Sequence, residues 1–110
     1  MRFSEALEEL MDGKRIRNGK WNGKGAYLYY VPGRVLPASM WKECNDSLTD
    51  SERLNNRVEI LGHIDMVTAD GKRLVGWLAS QYDMQSDQWE IVPEKVDIEA
   101  VKQILDEIGE

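Results

Sequence analysis

The chain has 110 residues and a net charge of −6, which is enough for one hydrophobic core and too little for two full domains. Its single cysteine, Cys44, excludes an internal disulfide, and the scarcity of Cys and His argues against a structural or transition-metal site. We therefore expect one domain over residues 1–110, in a reducing compartment, with no metal ion and no other cofactor.

The first fourteen residues carry four acidic side chains and no continuous apolar run, so they do not resemble a signal peptide. No stretch of the sequence reaches the length of a membrane span. These features predict a cytoplasmic protein.

Charge is distributed unevenly along the chain. Residues 1–34 hold seven Lys and Arg and four acidic residues, a net charge of +3, and the remainder has a net charge of −9. We expect most of the basic side chains to crowd around one loop. There they either meet an anionic small molecule or form a solvated face. They are Lys14, Arg15, Arg17, Lys20, Lys24 and Arg34.

The first third of the chain predicts a helix and two strands. Apolar residues recur at helical spacing over 3–11, with Ser4 as the expected N-cap and Gly13 directly after the helix. A brief strand is predicted over 14–17. A clearer one, AYLYYV at 26–31, is rich in β-forming residues and ends at a Pro-Gly pair.

The middle of the chain predicts an insertion followed by a hairpin. Residues 34–56 show neither the helical nor the strand spacing of apolar residues. They are dense in Ser, Asn and Asp, which is typical of a long loop. Residues 58–68 predict a strand that bends or bulges at Gly62. The Asp70-Gly71 pair predicts a tight turn into a second strand over 73–78.

The last third predicts a polar stretch, a strand and a helix. Residues 88–92 alternate in polarity and stop at a proline, and residues 97–108 form an amphipathic helix with Asp97 as N-cap. Its apolar stripe consists of Ile98, Val101, Ile104, Leu105 and Ile108. The predicted fold class is α+β: a short N-terminal helix, an antiparallel meander with a long inserted loop, and a C-terminal amphipathic helix. The core is expected in 1–33 and 57–93.

The sequence contains few of the residue combinations that catalytic sites need. Nucleophilic catalysis by Ser or Cys ordinarily needs a nearby base, and the only histidine, His63, lies within an apolar strand far from Cys44. The carboxylates of Asp65, Asp83 and Asp87 leave two interpretations open, an acid/base pair or caps of turns. We expect a binding protein and not an enzyme, with no catalytic residues.

Trp21 is the best candidate for a ligand contact. It lies between two Asn-Gly turns, which makes full burial difficult, and Arg17, Lys20 and Lys24 surround it in the sequence. A second polar and aromatic segment contains Asp65, Met66 and residues 77–89. Aromatic faces stack nucleobases and cations meet phosphates, so the combination suits a nucleotide-like ligand; Trp89 is expected to be a core residue instead.

Two long motifs, RNGKWNGKGAYLYYVPG and HIDMVTADGKRLVGWLASQYDMQSDQWEIV, follow SEALEELMDGK. Together they resemble the second Thoeris anti-defence family, small phage proteins that inhibit a bacterial immune system built on an NAD-derived signal. The resemblance implies a sponge that captures glycocyclic ADP-ribose without cleaving it, with some members capturing cyclic oligonucleotides. It further implies a homo-oligomer, a tetramer, with pockets between subunits, in the cytoplasm of an infected host cell, and neither a membrane nor a nucleic acid polymer as partner.

The resemblance and the local chemistry together give ten ligand-binding candidates. They are Arg17, Trp21, Asn22, Lys24, Asp65, Met66, Ser80, Gln81, Asp83 and Met84. Two other functions remain open from the sequence: an enzyme that degrades the same signal, and an acidic inhibitor that binds a host defence protein.

Overall fold

The computed structural model describes residues 1–21, 25–93 and 98–108. Within these ranges the chain forms a small α+β fold. The helices are α1 (Phe3–Met11), α2 (Asp50–Asn55), α3 (Gln81–Gln85) and α4 (Ile98–Ile108). The strands are β1 (Ile16–Asn18), β2 (Tyr27–Val31), β3 (Arg34–Leu36), β4 (Val58–Ile60), β5 (His63–Val67), β6 (Arg73–Leu74) and β7 (Trp89–Ile91).

Five strands form one antiparallel sheet in the order β6-β5-β2-β1-β7. The longest ladder joins β2 to β5, from Tyr27 opposite Val67 to Val31 opposite His63. Strands β3 and β4 pair with each other in a separate two-stranded ribbon. The predicted meander is therefore interrupted between β2 and β5, where the chain leaves the main sheet and returns.

Helix α1 packs on one face of this sheet against β1, β2 and β7. The core between them consists of five side chains that are almost fully buried: Ala6, Leu10, Ile16, Leu28 and Trp89. Leu28 and Ile16 are paired across β2 and β1, so their side chains share the face that α1 covers. Alternation along the strands therefore places the neighbouring residues on the opposite face.

The ends of α1 follow from local chemistry, with one difference from the prediction. The backbone N–H of Gly13 donates to Leu10 and that of Lys14 to Glu9, and Gly13 has a φ of +95°, the glycine-based stop expected from the sequence. At the other end the N-cap is Arg2, so Ser4 lies inside the helix. The N-cap prediction was wrong because the helix begins at Phe3.

Residues 34–56 have more local structure than the predicted loop. They contain β3, two single turns of 3-10 helix and α2. Helix α2 begins with a reciprocal capping box, in which Thr49 Oγ1 accepts from Glu52 N–H and Glu52 Oε1 accepts from Thr49 N–H. The predicted strand over 58–68 is likewise two strands, β4 and β5, separated at Leu61 and Gly62 and belonging to different sheets.

The second half confirms the hairpin and adds a helix. Gly71 adopts a φ of +84° in the predicted turn, but β6 ends at Leu74 instead of 78, because Gly76 turns the chain with a φ of +83°. Helix α3 was not predicted. Helix α4 was predicted over 97–108 and is described from Ile98. In the described ranges, no helix has the length and apolar character needed to cross a bilayer.

Candidate ligand-binding site

Asp83, in the short helix α3, connects the two segments that the sequence assigned to one site. The indole Nε1 of Trp21 donates to Asp83 Oδ1 at 3.0 Å. Asp83 Oδ2 accepts from the backbone N–H of Ser80 at 3.0 Å, and Ser80 Oγ accepts from Asp83 N–H at 3.1 Å. This capping box defines the start of α3, so the same carboxylate begins a helix and holds a tryptophan 62 positions away.

Two further tryptophan rings, of Trp77 and Trp89, pack next to the Trp21–Asp83 hydrogen bond. The carbonyl oxygen of Asp83 accepts from Trp89 Nε1 at 2.8 Å, and Trp89 is only 1% exposed, the core residue that the sequence predicted. Trp21 meets Trp89 edge to face with ring centroids 5.4 Å apart, and Trp77 lies 6.3 Å from Trp21. Trp21 is half-buried, so this packing fixes part of the ring and leaves the rest at the surface.

Beside Trp21 the surface opens into a cavity of about 450 Å³. This volume lies in the range of about 300–1,000 Å³ that is usual for small-molecule sites. The cavity is lined by Asn18, Lys20, Trp21, Gln81, Tyr82, Asp83, Gln85 and Ser86. The lining combines aromatic surface, amide and hydroxyl groups and one cation, so it offers stacking, hydrogen bonds in both directions and charge neutralisation to a polar aromatic ligand.

Asn18 fixes the wall of the cavity next to Trp21. It is 5% exposed, and its Oδ1 accepts from the backbone N–H of Lys20 at 2.9 Å and faces Ser86 Oγ at 3.4 Å. The backbone N–H of Trp21 donates in turn to the carbonyl of Asn18 at 3.1 Å. This turn therefore holds Trp21 and Lys20 on the cavity side of the sheet.

Electrostatics keep Asp83 ionised at neutral pH. Partial burial by itself raises the pKa of this carboxyl group, but hydrogen bonds from the Trp21 indole and from Ser80 outweigh it and lower the pKa below its ordinary 3.8. Both oxygens of the carboxylate are engaged with these donors. Asp83 thus acts mainly as an acceptor that holds Trp21 in place.

The basic side chains of the described residues do not crowd around one loop, which differs from the expectation. Lys14 pairs with Glu9, and Arg17 Nε donates to Glu90 Oε1 at 2.7 Å. Arg17 borders a separate cavity of about 270 Å³ on the other side of Trp21. Of the six basic residues in this segment, Lys20 is the one on the wall of the 450 Å³ cavity among the described residues.

The structure does not bring Asp65 or Met66 to Trp21. Asp65 is 5% exposed; it accepts from Gly76 N–H at 2.8 Å and lies 3.4 Å from Nε2 of His63. Together with His63 it borders a third cavity, of about 490 Å³, next to the β3–β4 ribbon. Met66 faces the other way and packs against the core, because side chains alternate along β5.

Some of the other candidates lie at the cavity beside Trp21 and others lie away from it. Gln81 lines the cavity beside Trp21, and Ser80 is the N-cap of the helix that carries it. Met84 lies on the same helix and is about half exposed, away from the cavity wall. Asn22 and Lys24 lie outside the described residues.

Several wall residues were not among the candidates: Asn18, Lys20, Tyr82, Gln85 and Ser86. One sequence signal points to most of them. The S-x-x-D spacing of Ser80 and Asp83 is a capping box that predicts α3, and a helix there would have placed residues 81–86 on one short element.

Two comparisons with known proteins identify the family of this chain. A family model described as Tad2-like, Thoeris anti-defense 2-like domain, matches residues 1–92, which include α1, all seven strands and the cavity beside Trp21. A protein named Thoeris anti-defense 2 from Bacillus phage SP01 is 28% identical over 92 residues, which cover 84% of this chain and 94% of that protein. The chain therefore belongs to the Tad2-like family of Thoeris anti-defense 2-like domains.

Proposed function

We propose that this protein is a phage anti-defence protein that counteracts Thoeris by sequestration. It binds a nucleotide-derived immune signal, glycocyclic ADP-ribose, in the cavity beside Trp21 and holds it without cleaving it. Family membership supports the anti-defence role. The observation that carries the sponge mechanism is the Trp21–Asp83 hydrogen bond, which fixes an aromatic wall of a cavity of ligand size.

The chemistry of the cavity fits this class of ligand. Such a ligand carries a purine, ribose hydroxyls and a pyrophosphate. The exposed part of Trp21 offers a stacking surface, the amides of Gln81 and Gln85 offer donors and acceptors, and Lys20 offers a cation for a phosphate. Because Asp83 immobilises the indole before the ligand arrives, little conformational freedom of Trp21 is lost on binding.

The arrangement favours binding over catalysis. The one histidine of the sequence, His63, borders a different cavity, and Cys44 is exposed in the 34–56 segment. Among the described residues, Asp83 is the one carboxylate on the wall; its pKa is lowered and both of its oxygens are engaged, which is unsuitable for a general acid at neutral pH. An enzyme that degrades the signal therefore has little support here.

We further propose that the protein acts as a homo-oligomer, a tetramer, in the cytoplasm of the infected cell. Tyr82, on the cavity wall, is 88% exposed, and Leu78, three residues before α3 in the sequence, is 90% exposed. We infer that they form part of a contact between subunits, since apolar surface at the rim of a cavity suits such a contact. A second subunit placed on them would cover the cavity mouth, which helps to reach the nanomolar affinity, about −12 kcal/mol, that a sponge needs.

The test is to titrate the purified protein with glycocyclic ADP-ribose by calorimetry and then to denature it with heat and analyse the released molecule. Tight binding with intact release is the expected result. A modified product would establish the enzyme alternative. The absence of binding, together with capture of a host defence protein, would support the protein-interaction alternative. A parallel titration with cyclic dinucleotides separates the two classes of signal.

Two variants locate the site. Trp21→Ala should weaken capture at least a hundredfold, because stacking and the preorganised wall are both lost, and Trp21→Phe should weaken it about tenfold, because one hydrogen bond is lost. Trp41→Ala is the matched control, since Trp41 is half-buried in the 34–56 segment and hydrogen-bonds to Ser47. Equal affinity of the Trp21 and Trp41 variants would remove this cavity from the proposal.

A further inference from the structure

Asn18 is a polar residue on the core-facing side of β1. It ends the strand, lies opposite Trp89 of β7, and shares its side of the strand with the buried Ile16. Only 5% of Asn18 is exposed. Burial of a carboxamide is unfavourable unless its polar atoms are hydrogen-bonded, so both ends of this side chain need a partner.

The oxygen of the Asn18 side chain has two partners. The backbone N–H of Lys20 donates to Asn18 Oδ1 at 2.9 Å, and Ser86 Oγ donates to the same atom at 3.4 Å. A backbone N–H can only donate, so the atom that faces Lys20 is the carbonyl oxygen. The contact with Lys20 therefore fixes which end of the carboxamide is the donor.

The nitrogen at the other end of the carboxamide has no such partner. Among the described residues, no hydrogen bond is donated by Asn18 Nδ2. These residues contain no fully buried side-chain nitrogen or oxygen without a partner, so Nδ2 keeps access to the surface. Asn18 lines both the 450 Å³ cavity and the 270 Å³ cavity on the other side of Trp21. Its Nδ2 is therefore a donor in the wall of a cavity.

The turn that follows β1 does not explain the presence of this nitrogen. Its hydrogen bonds use only the oxygen of residue 18, and an Asp side chain provides the same acceptor in turns of this kind. A largely buried amide donor without an acceptor is unfavourable. An acceptor on a bound ligand would remove this cost, which gives the carboxamide a function that a carboxylate lacks.

We propose that Asn18 determines the ligand specificity of the cavity beside Trp21. Its Nδ2 donates a hydrogen bond to an uncharged acceptor of the ligand, such as a ring nitrogen of a purine. The inference rests on the proposed function and names a residue that selects among ligands of the proposed class.

The other polar groups of the wall favour an uncharged acceptor for Asn18. A phosphate is the better partner for Lys20, because charge-assisted hydrogen bonds are about twice as strong as neutral ones. Gln81 and Gln85 are exposed and can present either end of their amides, whereas Asn18 can only donate. The cavity should therefore reject a ligand that presents a donor at this point, because two donors would face each other.

The first experiment compares the affinities of the wild type, Asn18→Asp and Asn18→Ala for glycocyclic ADP-ribose by calorimetry at neutral pH. Asn18→Asp keeps the acceptor for Lys20 N–H and replaces the donor with a second acceptor, whereas Asn18→Ala removes both. Asn18→Asp should weaken binding about a hundredfold and Asn18→Ala about tenfold. A purely structural role gives the opposite order, because only Asn18→Ala breaks the turn. Binding by Asn18→Asp that equals or exceeds that of Asn18→Ala would overturn the proposal.

Gln88→Glu is the matched control for the added charge. The carbonyl of Gln88 accepts from Gly19 N–H at 2.8 Å, and its exposed side chain is not among the residues that line the cavity. This variant should change the affinity by less than about fivefold, as expected for an exposed charge. A loss equal to that of Asn18→Asp would assign the effect to charge and reject the donor.

A second measurement uses the unsubstituted protein, so it does not depend on whether a variant folds. In a nitrogen–proton correlation spectrum, titration with glycocyclic ADP-ribose should shift the side-chain NH₂ signals of Asn18 together with the indole N–H signal of Trp21. A shift of the Trp21 signal alone would keep the sponge and reject the role of Asn18. If neither signal shifts, the ligand does not occupy this cavity, and the proposed site fails together with this inference.

Discussion

At the scale of single residues, Asp83 contributes both to the stability of the fold and to the geometry of the candidate site. Its side chain accepts from Trp21 and from Ser80, and its carbonyl accepts from Trp89. The sequence made Asp83 a candidate for ligand binding, whereas its contacts make it a positioning residue for the indole. Stability and ligand capture should therefore both respond to substitutions of Asp83.

Asp83→Ala should lower the free energy of unfolding by about 1–3 kcal/mol, because it leaves the half-buried Trp21 Nε1 and the start of α3 without their acceptor. Chemical denaturation monitored by tryptophan fluorescence measures the change. Asp87→Ala is the matched control, since Asp87 is exposed and its side chain accepts only from the adjacent Gln88. Similar losses in the two variants would contradict the assigned role.

The lowered pKa of Asp83 gives a prediction for the pH dependence of stability. A carboxyl group with a lower pKa in the folded state stabilises the protein above its unfolded pKa, and this contribution disappears as pH falls through about 3.8 and below. Asp83→Asn should therefore lose less stability than the wild type between neutral pH and pH values below 3.8. If the free energy of unfolding changed with pH equally in the wild type and in Asp83→Asn, the interactions of Asp83 would not favour its charged form.

At the scale of elements, glycines and capping boxes decide where strands and helices end. Gly62 lies between β4 and β5, and the ring of Tyr30 fills the space next to it. A Cβ at position 62 would lie 2.7 Å from Tyr30 Cζ, so the position requires glycine. Tyr30 packs on the core, so it is not free to move aside. The apparent bend in a single strand is thus a junction between the main sheet and the ribbon.

Gly62→Ala should destabilise the fold by about 1–3 kcal/mol through overpacking against Tyr30. Thermal or urea denaturation measures the effect. In a Tyr30→Leu background the same substitution should cost much less, because the ring that it meets is gone, and the difference defines a double-mutant cycle. Additive costs would show that Tyr30 is not the reason for glycine at position 62.

At the scale of the whole molecule, several large apolar side chains of the described residues are exposed. Leu54, Leu61, Leu78 and Tyr82 are each at least three-quarters exposed. Of these, Tyr82 lies on the cavity wall, and the proposed oligomer would cover it with a second subunit. Ligand capture and assembly should therefore be linked through the cavity rim.

Leu78→Ser should reduce the mass of the oligomer and weaken ligand capture together. Leu54→Ser, in α2, is the control of equal exposure and should leave both unchanged. Light scattering and calorimetry on the same preparations provide the two measurements. A reduced mass with unaltered affinity would mean that the cavity is complete within one subunit.

The sequence by itself determined the α+β class, the opening helix with its glycine stop, the Asp-Gly hairpin and the C-terminal amphipathic helix. These features depend on periodicity and on turn residues within a few positions of one another, so local physics is enough to predict them. The motifs also indicated the family to which the chain belongs. Trp21 and Asp83, which the sequence assigned to one candidate site, are in contact.

Only the tertiary structure decided how the candidate residues are distributed. It separated Asp65 and Met66 from Trp21, paired Arg17 with Glu90, and placed Asn18 and Lys20 on the cavity wall. The reason is that strand order and the side of a strand on which a residue lies depend on long-range pairing. No local pattern determines that the Trp21 indole meets a carboxylate 62 positions away.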